Sequence, residues 1–157
     1  MALTRRDFVK WLSASAALSG SIGCAATTTS RTVGRVVVVG GGYAGATAAK
    51  YVRMWGPDIE VTLVERDAEF VSCPLSNRVL AGVVQLKDLT RDYGKLQARH
   101  GVKLIRDEAT AIDPVAQEVR LGKGGALKYD RVIVAPGVDI LYDDVPGLDS
   151  PEAQARV

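Results

Sequence analysis

Apolar residues follow strand-like and helix-like patterns in turn along the first half of the chain after residue 34. Residues 35–39 form a β-branched run that ends at glycines, which predicts a buried parallel strand. Small and apolar residues then recur at helical spacing over residues 43–55, and Gly56 and Pro57 end this predicted helix. Residues 59–65 alternate apolar and polar residues and predict a second strand. Together these elements predict a β-α-β unit of about thirty residues.

The second half of the chain changes to shorter elements. Short helices are predicted after Pro74, as far as Ala81, and over residues 91–99, followed by a strand at residues 102–105. Residues 109–129 contain alternating runs broken by proline and glycine, which predicts a small antiparallel meander. Residues 131–135 predict another buried strand. The predicted fold class is therefore α/β, a Rossmann-like nucleotide-binding domain with a small antiparallel β-meander.

The N-terminal segment has the three parts of a signal peptide, which are a basic, a mildly apolar and a small-residue region. The string TRRDFVK at residues 4–10 resembles the twin-arginine export motif. We therefore expect export to the periplasm, with cleavage near Ala25 or Ala26. Lipid modification of Cys24 is an alternative route of processing, and an amphipathic helix with chance arginines is an alternative to the signal peptide. The Thr- and Ser-rich residues 27–34 are predicted to be a linker.

The net charge of +2 arises in the N-terminal segment. Of the 20 basic and 18 acidic residues, three basic and one acidic residue lie in the first ten positions, so the remainder is neutral. A neutral body gives no electrostatic support for binding to nucleic acid or an anionic membrane. Since no apolar run reaches the ~18 residues of a membrane helix, we predict no transmembrane segment, and we predict no metal site.

A glycine motif, GxGxxG, lies between the first predicted strand and the first helix. Its first glycine permits a tight turn, its second lets the backbone approach a pyrophosphate, and its third allows close helix–strand packing. Glu65, at the end of the second predicted strand, can accept hydrogen bonds from both ribose hydroxyls of an adenosine and would repel a 2′-phosphate. The candidate cofactor-binding residues of this region are Gly40, Gly42, Ala44, Gly45, Glu65 and Arg66.

A resemblance to a known family rests on four strings, VVVVGGGYAGATAAKYV, EVTLVE, VSCPLSNRVLAG and YDRVIVAPG. Over roughly residues 33–150 they resemble the flavoprotein subunit of flavocytochrome c sulfide dehydrogenase. The resemblance implies an FAD-binding domain of the type found in flavoproteins with two dinucleotide-binding domains. It also implies oxidation of sulfide to sulfur, with electrons passing through FAD to a c-type cytochrome subunit. Ala135, Pro136 and Gly137 correspond to the second FAD motif, whose usual ending is Ala-Thr-Gly, so Pro136 is a departure.

Cys73 is the only cysteine that remains after the predicted cleavage. The resemblance implies that Cys73 is joined covalently to the 8α-methyl carbon of FAD. The residues themselves point the same way, because Pro74 fits the first position of a helix and would place Cys73 at the helix N-terminus, where the thiolate form is favoured. A small buried residue, or a disulfide partner of a cysteine beyond residue 157, is the alternative.

The predicted domain organisation is a signal peptide at residues 1–26, a linker at 27–34, an incomplete FAD-binding domain at 35–148 and the start of a further segment at 149–157. The family's redox-active cysteine pair and second Rossmann-like domain do not appear in the sequence. We therefore expect a truncated flavoprotein that contains no catalytic residue and does not turn over sulfide. Alternative functions are a sulfide:quinone or NADH-type flavin oxidoreductase and a non-catalytic FAD-binding module.

Several other residues are predicted to have structural roles only. His100 is expected at a helix C-terminus, where a partly cationic ring suits the helix dipole. Tyr51 and Trp55 are expected in the helix core. A solvated acidic loop is predicted from Asp139, Asp143, Asp144 and Asp149.

Overall fold

The computed structural model describes residues 32–138 and 141–154. The predicted signal peptide and most of the predicted linker lie outside these residues. In the described part the strands are β1 Gly34–Val39, β2 Ile59–Val64, β3 Glu69–Val71, β4 Thr90–Asp92, β5 Lys103–Ile105, β6 Ala109–Asp113, β7 Glu118–Leu121, β8 Ala126–Lys128 and β9 Arg131–Val134. The helices are α1 Tyr43–Trp55, α2 Ser76–Leu80, α3 Leu86–Leu89, α4 Gly94–His100 and α5 Pro151–Gln154, with a 3₁₀ turn at Tyr142–Asp144.

A four-stranded parallel sheet forms the centre of the fold, in the order β5-β2-β1-β9. Its central strands are rich in β-branched residues, which is typical of parallel strands that are covered on both faces of the sheet. On one face, Val38, Val61 and Leu63 pack with Ala49 of α1 and with Val102, and all five side chains are buried. The α/β class and the parallel Rossmann-like core predicted from the sequence are confirmed.

The opposite face of the sheet is covered by the antiparallel meander β6-β7-β8. Val119 of β7 packs there against Val37 and Val64, together with Tyr129 at the entrance to β9. The Tyr129 hydroxyl donates a hydrogen bond to the Asp113 carbonyl oxygen at 3.2 Å, which ties the end of β6 to this cluster. The meander predicted over residues 109–129 is therefore confirmed.

The strand order creates a topological switch point at the carboxyl end of β1. The chain leaves β1 through α1 to reach β2 on one side, whereas β9 pairs with β1 on the other side. Open α/β sheets bind ligands in the crevice at such a point. The glycine motif follows β1 directly and so lies at this crevice.

The predicted helix at residues 91–99 is wrong at its start. Residues Thr90–Asp92 form β4, which pairs antiparallel with β3, because its register joins Phe70 to Arg91 and Val71 to Thr90. The Asp92 Oδ1 atom accepts a hydrogen bond from Gly94 N at 2.7 Å, and the helix begins there. His100 is the last residue of α4, as predicted.

The prediction that Tyr51 and Trp55 lie in the helix core is also wrong. Trp55 is 80% exposed and Tyr51 is exposed as well. The buried residues of α1 are Gly45 and Ala49, because the small side chains bring the helix close to the sheet and the bulky rings remain outside. The two rings contact each other instead, with centroids 5.0 Å apart.

A solvated acidic loop was the other structural prediction. Asp144 and Asp149 are exposed and agree with it, while Asp139 lies outside the described residues.

Candidate functional site

The first and third glycines of the motif are required by close backbone packing. Gly40 adopts a φ of +94°, and a Cβ atom there would lie 2.0 Å from the Ala135 carbonyl oxygen. A Cβ atom on Gly45 would lie 1.8 Å from the Gly40 carbonyl oxygen. Both distances are far below van der Waals contact, so these positions admit glycine alone without a shift of the backbone. This geometry agrees with the tight turn predicted at Gly40 and with the close helix–strand packing predicted at Gly45.

The second glycine faces open space. Gly42 is the N-cap of α1, and a Cβ atom there would have only Phe70 Cε2 within 4 Å, at 3.8 Å. The first turn of α1 carries no acidic side chain and no side-chain cap. Its N–H groups lack intrahelical acceptors and carry a partial positive charge. The loop therefore fits the pyrophosphate of a dinucleotide such as FAD, which would lie above Gly42.

Glu65 lies at the end of β2, as the sequence predicts, and its side chain reaches the glycine loop. Its Oε2 atom accepts a hydrogen bond from Gly41 N at 2.6 Å, and its Oε1 atom accepts one from Asp67 N at 2.9 Å. Each carboxylate oxygen has two lone-pair sites, so each retains one for a ribose hydroxyl. Arg66 instead points to solvent, where its Nε atom is paired with Asp67 Oδ2 at 3.6 Å.

The end of β9 forms the other wall of the loop. Ala135 N donates a hydrogen bond to the Val39 carbonyl oxygen at 2.8 Å, which extends the β1–β9 pairing up to the glycines. Pro136 lies next to Gly40, since a Cβ atom on Gly40 would be 3.3 Å from Pro136 Cα. Gly137 adopts a φ of +86° with no atom within 4 Å of its Cβ direction. Ala135 and Pro136 are thus brought to the loop, whereas the Cβ side of Gly137 is open.

Tyr93 is a site residue that the sequence did not reveal. It is only 6% exposed, and its hydroxyl donates a hydrogen bond to the Gly41 carbonyl oxygen at 3.1 Å. Burial, together with the negative charges of Glu65 and Asp67, raises the pKa of Tyr93 to about 12. The contact of Tyr93 with Gly41 could not be predicted, because Tyr93 lies inside the segment that the apolar spacing assigned to a continuous helix.

Cys73 lies in a turn and is exposed. The helix that follows it begins at Ser76 and not at Pro74, and Leu75 before it has a φ of +73°. The expectation that Pro74 starts the helix and that Cys73 sits at its N-terminus is therefore wrong, because the Cys73 carbonyl accepts a turn hydrogen bond from Ser76 N at 3.0 Å. The alternative that Cys73 is a buried packing residue is wrong as well.

The segment that carries Cys73 is tied to the start of α1. The hydroxyls of Tyr43 and Ser72 share a hydrogen bond, and the Tyr43 ring meets Phe70 edge-on with centroids 4.8 Å apart. A groove of about 430 Å³ opens between these elements. Gly42 lines this groove, and so do Ser72 and Leu75, which lie on either side of Cys73 and Pro74. The glycine loop and the cysteine turn therefore border one groove.

Membrane-spanning helices and metal-binding clusters are both absent from the described residues. No helix in residues 32–138 and 141–154 has both the length and the apolar character needed to cross a membrane. In the same ranges no three His, Cys, Asp or Glu side chains come together as a metal-binding group. The described site consists of backbone N–H groups, the Glu65 carboxylate and an exposed thiol, and its chemistry is that of nucleotide binding.

Comparison with known proteins identifies relatives of this chain. The flavoprotein chain of sulfide dehydrogenase (flavocytochrome c) from Chlorobaculum thiosulfatiphilum is 62% identical over 45 residues, which are 29% of this chain and 94% of that sequence. Sulfide-quinone reductase from Aquifex aeolicus is 28% identical over 107 residues, 68% of this chain and 25% of that protein. The X-ray structure of the sulfide:quinone oxidoreductase from Aquifex aeolicus matches with a TM-score of 0.64 at 28% identity, over 68% of this chain and 25% of that one.

These similarities confirm the family resemblance seen in the sequence. The chain spans about a quarter of the length of the Aquifex aeolicus relative. A family model for pyridine nucleotide-disulphide oxidoreductases matches residues 34–156, and this family implies FAD as the cofactor. Over residues 34–156, the chain belongs to the pyridine nucleotide-disulphide oxidoreductase family.

Proposed function

We propose that this chain is the FAD-binding segment of an exported sulfide dehydrogenase, which oxidises sulfide to sulfur and passes the electrons through FAD to a c-type cytochrome. The observation that carries this proposal is the exposed Cys73, in a turn whose flanking residues line the same groove as Gly42. The 62% identity to a flavocytochrome c flavoprotein chain supports it. FAD would supply the electron-accepting chemistry, and the chain's own residues would bind and orient it.

Each part of the described site has a role in this proposal. The N–H groups at Gly42 and the first turn of α1 would bind the pyrophosphate, and Glu65 would accept hydrogen bonds from the ribose. Ala135 and Pro136 would fix the loop against β9. Gly45 would hold α1 close enough to the sheet for the helix N-terminus to reach the phosphates.

Cys73 would attach the cofactor covalently. Its sulfur would lose the thiol proton and form a C–S bond to the 8α-methyl carbon, which would lose one hydrogen as a proton. FAD itself would supply the oxidant for this bond by accepting the two electrons, and the proposed cytochrome would then remove them. The exposure of Cys73 supports this role, because an exposed thiol is accessible to a ligand, and its neighbours Ser72 and Leu75 line the groove.

Export is the remaining part of the proposal. The TRRDFVK string at residues 4–10 supports the twin-arginine pathway, and periplasmic location would bring the protein to a c-type cytochrome. Pathways of this kind accept proteins that have already folded around a cofactor, which suits a flavoprotein loaded in the cytoplasm.

The covalent bond gives the sharpest test of this proposal. Full-length protein should remain yellow after acid precipitation, and the tryptic peptide that contains Cys73 should carry the mass of FAD, or of FMN after cleavage of the pyrophosphate. The Cys73→Ser variant should fold and bind FAD, because the loop and Glu65 are unchanged, but acid should release its flavin. Complete release of flavin from the unchanged protein would refute the covalent attachment.

A sulfide:quinone oxidoreductase is the second candidate, and the 28% identity to the Aquifex aeolicus enzyme over 68% of the chain favours it. Electron acceptors distinguish the two functions. Full-length protein supplied with sulfide should reduce a c-type cytochrome faster than a short-chain ubiquinone if the proposal holds. Preference for the quinone, together with acid-labile flavin, would establish the second candidate instead.

A further inference from the structure

Gly41 is the middle residue of the glycine loop, and both its N–H and its carbonyl oxygen form hydrogen bonds to side chains. Its N–H donates to Glu65 Oε2 at 2.6 Å, and its carbonyl oxygen accepts from the Tyr93 hydroxyl at 3.1 Å. Gly41 itself is buried. A Cβ atom at this position would lie 2.5 Å from the Tyr93 hydroxyl oxygen, which shows how closely the phenol approaches the backbone.

The bond from Tyr93 has a geometric consequence for the next residue. The Gly41 carbonyl and the Gly42 N–H belong to one planar trans peptide unit, in which the two groups point in opposite directions. Because the carbonyl points at the buried phenol, the Gly42 N–H points away from the core. The Cβ direction of Gly42 is open, with only Phe70 Cε2 within 4 Å.

We infer that Tyr93 is a positioning residue that fixes the Gly41–Gly42 peptide so that the Gly42 N–H faces the phosphates of the bound dinucleotide. The inference rests on the FAD site of the proposed function. The ring of Tyr93 packs in the core cluster with Val38 and Val102, so the sheet itself holds the hydroxyl in place. Burial raises the pKa of Tyr93 to about 12, and the phenol therefore remains a donor throughout the physiological pH range.

A matched control exists on the opposite face of the sheet. Tyr129 is also 6% exposed, and its hydroxyl also donates to a backbone carbonyl, that of Asp113, at 3.2 Å. Tyr129 packs with Val37, Val64 and Val119 between the sheet and the meander, away from the cluster that contains Tyr93. Replacement of either tyrosine by phenylalanine therefore removes one buried hydroxyl and one hydrogen bond, but only Tyr93→Phe releases the loop.

The experiment compares Tyr93→Phe and Tyr129→Phe in full-length protein that also carries Cys73→Ser, so that FAD exchanges. Both variants should lose similar stability in urea without flavin. Only Tyr93→Phe should raise the Kd for FAD, by about five- to tenfold, the effect of one hydrogen bond. Only in Tyr93→Phe should the ³¹P resonances of the bound pyrophosphate move toward those of free FAD. Equal FAD affinity and equal ³¹P spectra in the two variants would overturn the inference, since Tyr93 would then be a core residue only.

A second variant tests the same contact from the loop side. Gly41→Ala introduces a methyl group that must displace the phenol, so it should weaken FAD binding, and its combination with Tyr93→Phe should weaken binding little further. Additive losses would show that Tyr93 and Gly41 act separately and would overturn the inference. If the parent protein binds no FAD at all, the proposed function fails instead, which separates the two conclusions.

Discussion

Gly40 and Gly42, the first and second glycines of the GxGxxG motif, should respond differently to the addition of a methyl group. An alanine at position 40 would have to keep a φ of +94° and place its Cβ atom 2.0 Å from the Ala135 carbonyl oxygen. An alanine at position 42 would keep a φ of −65° and meet only Phe70 at 3.8 Å. We therefore expect Gly40→Ala to damage the fold, and Gly42→Ala to damage cofactor binding alone.

The magnitudes follow from the two geometries. Backbone strain at positive φ costs an alanine roughly 1–2 kcal/mol, and overpacking against backbone adds about 1–3 kcal/mol. Gly40→Ala should therefore lower the free energy of unfolding by roughly 2–5 kcal/mol, a large part of a typical total of about 5–15 kcal/mol. Gly42→Ala should change it by less than about 1 kcal/mol, because an alanine fits there without strain.

The assay uses full-length protein with Cys73→Ser, and combines urea unfolding of the flavin-free form with titration of FAD. Gly124→Ala is the control, because Gly124 has a φ of +97° but no atom within 4 Å of its Cβ direction. It therefore reports strain without a clash. If Gly40→Ala is no less stable than Gly124→Ala, the packing of the loop against β9 is wrong. If Gly42→Ala binds FAD as tightly as its parent, no phosphate lies above Gly42.

Three further predictions concern charge, pH and export. Glu65→Gln should weaken FAD binding by roughly ten- to a hundredfold, since hydrogen bonds to a charged group are worth about 1.5–3 kcal/mol. The variant is made together with Cys73→Ala, so that no covalent bond to FAD masks the loss. Unchanged affinity would show that Glu65 does not bind FAD. Tyr93 has its pKa raised to about 12 from an ordinary value of 10.0, so its neutral form stabilises the fold fully below pH 10 and this stability is lost as the pH rises to 12. Urea unfolding should show that the protein loses more stability than Tyr93→Phe as the pH rises from 10 through 12, whereas parallel losses in the two proteins would show that burial does not raise the pKa of Tyr93. Arg5→Lys combined with Arg6→Lys should leave the protein in the cytoplasm, and unchanged periplasmic yield on cell fractionation would exclude the twin-arginine pathway.

The elements that the sequence predicted well are those whose pattern is set by burial on the central sheet. The strand before Gly40 and the helix after Gly42 could be placed because a β-branched run is followed by glycines and then by small residues at helical spacing. The position of Glu65 beside the loop follows from the parallel register of β1 and β2, in which Val39 is paired with Val64.

The features that the sequence did not reveal depend on tertiary contacts. β4 forms because β3 offers it a partner, and the three residues of each strand are too few for a recognisable alternation. Cys73 begins a turn and does not lie at a helix N-terminus, because Leu75 takes a left-handed conformation that no local rule assigns to a leucine. Tyr93 reaches Gly41 across 52 positions of the chain, and such a long-range contact leaves no trace in local periodicity.

The glycine loop and Cys73 would contribute differently to the proposed function. In the proposed function Gly40, Gly42 and Glu65 would contact the phosphates and the ribose, which dinucleotide enzymes with this loop share, so these residues would specify the cofactor and not the reaction. Cys73 lies on a separate turn that reaches the loop through Ser72 and Tyr43, and it carries the one described nucleophilic thiol. A covalent bond there would alter the reduction potential of the cofactor without any change in the loop. The potential of the flavin in Cys73→Ser should therefore fall below that of the unchanged protein, while the FAD affinity set by the loop is retained, and equal potentials would show that the turn does not tune the cofactor.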